Sequence, residues 1–98
     1  MTVLESYVES KGNKAAKRNG WKYRKVQWVG RRAAPDRFYM KPGAGSFFVE
    51  YKRPGEKPRP DQVVEIELMR SCGIKVYVID NVEDAVALFE GNRCTLLD

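Results

Sequence analysis

Apolar residues recur along this chain with two different periods, and the places where the period changes divide it into elements. Leu4, Tyr7, Val8, Ala15 and Ala16 fall roughly on one face at helical spacing. They follow Thr2-Val-Leu-Glu5, which has the form of a capping box, and precede a stop at Asn19-Gly20. The pattern predicts a first helix from about residue 3 to residue 18, weakened locally by Gly12. "GWKYRKVQWVG" gathers aromatic and β-branched residues between glycines and predicts a strand with basic side chains on at least one face. "DRFYM" and "SFFVEYK" predict two further strands across a "KPGAG" turn, so that the three make an antiparallel meander.

"RPGEKPRP" cannot hold regular structure, and its last proline, Pro60, suits the first position of the next helix. That helix, "PDQVVEIELMRSCG", is predicted to bury Val63, Ile66 and Met69 with their neighbours Val64 and Leu68, and to stop at Gly73. "IKVYVID" has an unbroken apolar centre, Val76 to Ile79, as expected of a strand inside a sheet with cover on both faces. A strand, helix, strand succession requires a parallel, right-handed crossover. Asn81 to Glu90 predicts a last helix with an Asn cap and an apolar face of Val82, Ala85, Val86 and Phe89, and "RCTLLD" a short edge strand. The fold class is therefore α/β: helix, three strands, helix, strand, then a C-terminal helix, with a mixed sheet flanked by helices.

Length and composition narrow the picture. Ninety-eight residues suit a single domain, 1–98, large enough for a core but at the small end, so self-association would help it. No apolar run is long enough to cross a bilayer and the first residues lack a signal-peptide pattern, so a cytoplasmic protein without a membrane partner is expected. Cys72 and Cys94 fit neither a CxxC motif nor a disulfide framework, and both are expected to be reduced and mostly buried. The chain has no histidine, which excludes histidine-based triads and leaves any metal to oxygen ligands, pointing to magnesium, manganese or calcium ahead of zinc.

The net charge of +5 is unevenly spread. Residues 11–41 hold eleven Lys/Arg against one acid, Asp36, interleaved with Trp21, Tyr23 and Trp28. Such a stretch suits a polyanion such as a nucleic-acid backbone, although a charge run is more often only a solvated face.

Side-chain alternation in "SFFVEYK" puts Phe47, Val49 and Tyr51 on one face and Phe48, Glu50 and Lys52 on the other. If the strands at 36–40 and 46–52 pair as a hairpin, Asp36 lies beside Glu50, and two carboxylates and an amine converge. The carboxylates would repel one another, and a hard divalent cation is the natural way to keep both ionised. Glu50 and Lys52 could alternatively form a simple ion pair, and Asp36 could only start a turn. The apolar residues beside Glu50 argue for a partly buried strand, where charges need a purpose.

Pro35-Asp36, followed by Glu50-Tyr51-Lys52, resembles the PD-(D/E)xK nuclease signature, and the order of elements resembles that superfamily's restriction-endonuclease-like αβββαβ core. Within it, "APDR", "FFVEYK" and the "RPDQ" helix leading to "CGIKVYVID" are most similar to the VRR-NUC domain, the virus-type replication-repair nuclease module, over nearly the whole chain. The resemblance implies that Asp36, Glu50 and the Tyr51 carbonyl bind Mg2+ or Mn2+, that Lys52 is the catalytic lysine, and that Gln62 orders the site. It makes Glu5 an outer metal ligand, with capping as the competing role for both Glu5 and Gln62. It further implies a DNA-repair endonuclease that hydrolyses phosphodiesters in branched DNA, a homodimer of the Holliday junction nuclease type from a bacterium or a phage-infected cell. Lys22, Arg24, Lys25, Arg31, Arg32, Arg37 and Lys41 would hold the DNA backbone. A nucleic-acid-binding module without catalysis and a sequence-specific restriction-type enzyme are the alternatives.

Overall fold

The computed structural model describes residues 3 to 90. Helix α1 (Glu5–Arg18) is followed by strands β1 (Lys22–Lys25), β2 (Arg37–Lys41) and β3 (Gly45–Tyr51), helix α2 (Pro60–Ser71), strand β4 (Val76–Ile79) and helix α3 (Val82–Ala87). The strands form one sheet in the order β1-β2-β3-β4. The first three are antiparallel neighbours and β4 runs parallel to β3, as the sequence pattern predicts.

Local chemistry sets several boundaries. Between β2 and β3 the chain reverses at Lys41-Pro42-Gly43-Ala44, where Ala44 N–H donates to the Lys41 carbonyl at 3.0 Å and Gly43 has a φ of +81°. Proline before a left-handed glycine is what a type II turn needs. Pro60 opens α2, and Gly73 closes it with a φ of +83° while Ile74 N–H returns to the Met69 carbonyl at 3.0 Å. The Asn81 side chain caps α3 by accepting from Asp84 N–H at 2.8 Å.

Alternate residues of β3 point into two unlike layers. Phe47, Val49 and Tyr51 join Tyr39, Tyr77 and Ile79 in the main core, covered by Val8, Ala15 and Ala16 of α1 and by Ala85, Leu88 and Phe89. Inside it the Tyr51 and Tyr39 hydroxyls are 2.7 Å apart, and Tyr39 donates to Asn13 Oδ1 at 2.6 Å. Gly12 is the α1 residue that faces the Tyr51 hydroxyl, so closely that any side chain there would collide with it. A glycine that weakens the helix by itself is thus required by its packing. On the other face, Ile66 and Met69 of α2 pack on Val76 with Trp28, Phe48 and Val78.

The structure corrects several expectations. Helix α1 starts at Glu5 with Leu4 as its N-cap and no side-chain cap, so Glu5 is not the third residue of a capping box; Thr2 lies outside the described residues. Leu4 and Tyr7 are exposed, and the buried stripe of α1 is Val8, Gly12, Ala15 and Ala16. Only four residues of "GWKYRKVQWVG" form a strand, since the chain leaves β2 after Lys25 and Trp28 turns toward α2. Strand β4 is covered on both faces but lies at an edge among the described strands. On α2, Val63, Val64 and Leu68 are exposed; the buried positions are Gln62, Glu65, Ile66 and Met69. Cys72 is exposed and unpaired. Cys94 and the strand expected from "RCTLLD" lie outside the described residues.

Candidate active site

The site forms where β3 emerges beyond the start of β2. Arg37 stands opposite Val49, which leaves Asp36, the residue before the strand, opposite Glu50. Asp36 N–H donates to the Val49 carbonyl at 3.0 Å, and the Asp36 carboxylate accepts the Tyr51 N–H at 2.6 Å. Glu50 is 2% exposed, and its Oε2 receives both the Lys52 ammonium at 3.3 Å and the Gln62 amide at 2.8 Å. Lys52 and Gln62 are each 6% exposed, so this cluster has almost no contact with solvent.

Helix α2 delivers Gln62 through its first turn. The Gln62 carbonyl oxygen accepts the Arg59 N–H at 2.8 Å, while its amide nitrogen donates to Glu50. The capping and site-ordering roles expected as alternatives are therefore performed together, one by each end of the same side chain. Glu5, at the start of α1, is near enough for its charge to act on both Asp36 and Glu50. Among the described residues, however, no group of three or more acids stands at metal-ligand spacing, so Glu5 does not join the other two as a direct neighbour.

Electrostatics distinguish this pair from ordinary surface acids. Burial pushes the Asp36 carboxyl up to about 6, the Tyr51 N–H pulling back and the charges of Glu5 and Glu9 adding to the rise. Glu50 rises to about 7, first through burial and then through the Asp36 charge, with Lys52 opposing. Two converging carboxylates that resist ionisation, with one lysine to share, form a donor set suited to a hard divalent cation. The Tyr51 carbonyl leaves β3 on the same edge as its N–H, past the end of β2, and can serve as a third oxygen donor.

The basic residues divide into separate groups rather than one wall. Lys22 and Arg24 lie in register with Met40 and Phe38 and share the sheet face of Glu50, whereas Lys25 stands opposite Arg37 on the α1 face. All three are exposed. Arg31 and Arg32 stand over α2, paired with Glu65 at 3.3 Å and Asp61 at 3.9 Å. Lys41, half-buried, lies at the far end of β2 beside Gly20. Arg37, on the α1 face, packs over the Tyr23 ring and its guanidinium is bound to Glu9 at 2.6 Å.

Two features escaped the sequence reading. Glu65, 8% exposed, accepts the Trp28 indole N–H at 2.7 Å and so fastens the Arg31 loop to α2 next to the site. Its position three residues after Gln62, on the same helix face, was the available signal. Arg53, Lys57 and Arg59 are exposed on the loop joining Lys52 to α2, with Arg53 paired to Glu56 at 3.6 Å and Arg59 to Asp61 at 3.2 Å.

No family model matches the chain. The solved structure of a "VRR_NUC domain" superimposes with a TM-score of 0.81 and 31% sequence identity, over 89% of this chain and 95% of that one. "Putative nuclease p44" of Acyrthosiphon pisum secondary endosymbiont phage 1 is 44% identical over 52 residues, 53% of this chain. The match takes in 56% of that phage protein, so the chain spans about half the length of this relative.

Proposed function

Because the chain belongs to the VRR_NUC domain family, we propose that residues 1–98 form a single nuclease domain, a divalent-metal-dependent endonuclease that hydrolyses phosphodiester bonds in DNA. The observation that carries this reading is the convergence of Asp36, Glu50, Lys52 and Gln62 at the end of β3, with both carboxylates held above the usual carboxylate range. Asp36, Glu50 and the Tyr51 carbonyl would hold Mg2+ or Mn2+. A bound ion there would supply Lewis-acid polarisation of a phosphate oxygen and lower the pKa of a bound water.

The chain's own groups divide the remaining work. Gln62 fixes the Glu50 carboxylate in one orientation, because its other end is tied to the Arg59 backbone. The Tyr51 N–H does the same for Asp36. Lys52 orients the attacking water by hydrogen bonding and offsets the negative charge that builds on phosphorus. Glu5 acts in the outer shell through its charge. Arg31, Arg32, Lys22 and Arg24 neutralise backbone phosphates, which positions the duplex without reading its sequence and favours cutting by structure over cutting by sequence.

A branched substrate such as a four-way junction, and a homodimer that offers two symmetric sites for paired cuts, complete the proposal; both rest on the family kinship. The setting would be the cytoplasm of a bacterium or phage-infected cell.

The test is cleavage of linear, flapped and four-way DNA with magnesium, manganese or EDTA, by wild type and by Asp36→Ala, Glu50→Ala and Lys52→Ala. The expected outcome is cleavage by wild type with metal only, and a loss of at least about a thousandfold in each variant with DNA binding retained. Full activity in either carboxylate variant would end the site assignment. Salt-dependent binding with no cleavage by wild type under any metal would favour a non-catalytic binding module.

A further inference from the structure

On the face of the sheet opposite Glu50, a groove of about 410 Å3 runs between α1 and β1. Its helix wall carries Ser6, Ser10, Lys14 and Lys17, and its strand wall Tyr23 and Arg37. The helix residues are spaced four, four and three apart, which aligns them along one face over about 16 Å at 1.5 Å per residue. That length matches four or five nucleotides at roughly 3.4 Å each along one strand.

The lining is polar and cationic. Glu9 is the one acid among its residues and is already bound by Arg37 at 2.6 Å. Lys14 and Lys17 are exposed and make no ion pair among the described residues. Two unpaired ammonium groups and two serine hydroxyls in a row are donors to phosphate oxygens. The groove also opens beside the site, since Ser6 follows Glu5, Arg37 follows Asp36, and the Glu9 charge is felt at Asp36.

We propose that this groove is a second track for the substrate, in which Ser6, Ser10, Lys14 and Lys17 take the phosphate backbone of one arm of a branched DNA. The inference rests on the nuclease reading above. Strand β1 is an edge strand with Lys22 and Arg24 on the face shared with Glu50 and the groove on the other. A branch point seated at the end of β3 then sends one arm along each face, whereas an unbranched duplex occupies only one.

The experiment measures binding of a labelled four-way junction and of a linear duplex in EDTA across a salt series, using wild type and a Lys14→Ala/Lys17→Ala variant. A Lys14→Arg/Lys17→Arg variant tests rescue. Lys75→Ala removes one charge at the opposite end of the sheet, where Lys75 meets Phe48 rather than the site. Loss of two phosphate contacts is expected to reduce the log–log salt slope on the junction by about 2, with little change on the duplex. The arginine pair should restore the slope, and Lys75→Ala should leave it as in wild type. An unchanged junction slope in the double alanine variant, an equal loss on the duplex, or an equal loss in Lys75→Ala would each overturn the proposal. The manganese cleavage assay on wild type reports separately on the nuclease reading: wild type that binds but never cuts ends that reading, while the salt slopes still decide the groove.

Discussion

The two faces of the sheet are built from alternate residues of the same strands, yet they do opposite things. Under α1 and α3, β3 contributes Phe47, Val49 and Tyr51 to a large aromatic and aliphatic core, in which the Tyr39 and Tyr51 hydroxyls bond to each other and Tyr39 donates to Asn13. Under α2, the same strand contributes Glu50, with Lys52 just past its end, and the apolar cluster reduces to Ile66, Met69 and Val76 with three partly buried neighbours. The buried charged and amide residues, Glu50, Lys52, Gln62 and Glu65, all belong to this second layer. One face carries stability and the other spends it on holding charges out of water, where they cost folding energy and gain chemical use.

The comparison is tested most severely by removing one anchor from each face. Phe47 packs against Trp21, Tyr39, Tyr77 and Phe89. Phe47→Ala is expected to cost about 3–5 kcal/mol, and Ile66→Ala about 2 kcal/mol because its cluster is smaller. Urea denaturation midpoints measure both. Equal losses would show that the α2 layer carries as much stability as the main core.

The buried charges predict a pH dependence of the metal-free protein. In the folded chain Asp36 is raised from 3.8 to about 6 and Glu50 from 4.5 to about 7. Between roughly pH 4 and 7 the folded state holds protons that the unfolded chain releases, so stability in EDTA falls as pH rises through that window and levels off above it. Manganese favours the ionised carboxylates, so its stabilisation is expected to be greatest at the upper end. Denaturation midpoints at several pH values, with EDTA or manganese, check the sign. An Asp36→Asn/Glu50→Gln variant should lose most of the slope.

A smaller effect isolates the α1 face. Gly12→Ala would gain up to about 1 kcal/mol of helix propensity in an open helix, but here its methyl meets the Tyr51 hydroxyl. A net destabilisation of about 1–3 kcal/mol is expected from overpacking. Tyr51→Phe removes the obstructing oxygen, so the double variant should recover part of the loss, and a double-mutant cycle measures how much.

The site was legible in the sequence because strand geometry is strict. Once the type II turn fixed the β2–β3 hairpin, a period of two put Glu50 and Lys52 on one face and the register put Asp36 beside them. Element order was equally legible, since Pro60, Gly73 and Asn81 punctuate the chain by mechanisms that do not depend on tertiary context. What sequence could not give were burials decided by partners. Glu65 is buried because Trp28, 37 residues away, donates to it, and Gln62 because its amide donates to the Glu50 carboxylate. With those two polar residues turned inward, the helix turns Val64 and Leu68 outward, the reverse of what hydrophobicity alone predicts.

That reversal supplies the last and smallest expected effect. Leu68 is 56% exposed although it stands two residues after Ile66, which is 4% exposed. Leu68→Ala is expected to change stability by no more than about 0.5 kcal/mol, against the loss of about 2 kcal/mol for Ile66→Ala. Isoleucine is the poorer helix former, so propensity offsets slightly more of the Ile66→Ala loss, and the difference between the variants understates burial. The urea midpoints decide it at a protein concentration where the wild-type midpoint no longer depends on concentration. A Leu68→Ala loss equal to that of Ile66→Ala would mean that α2 is rolled toward its hydrophobic stripe, and Gln62 would then be carried away from Glu50.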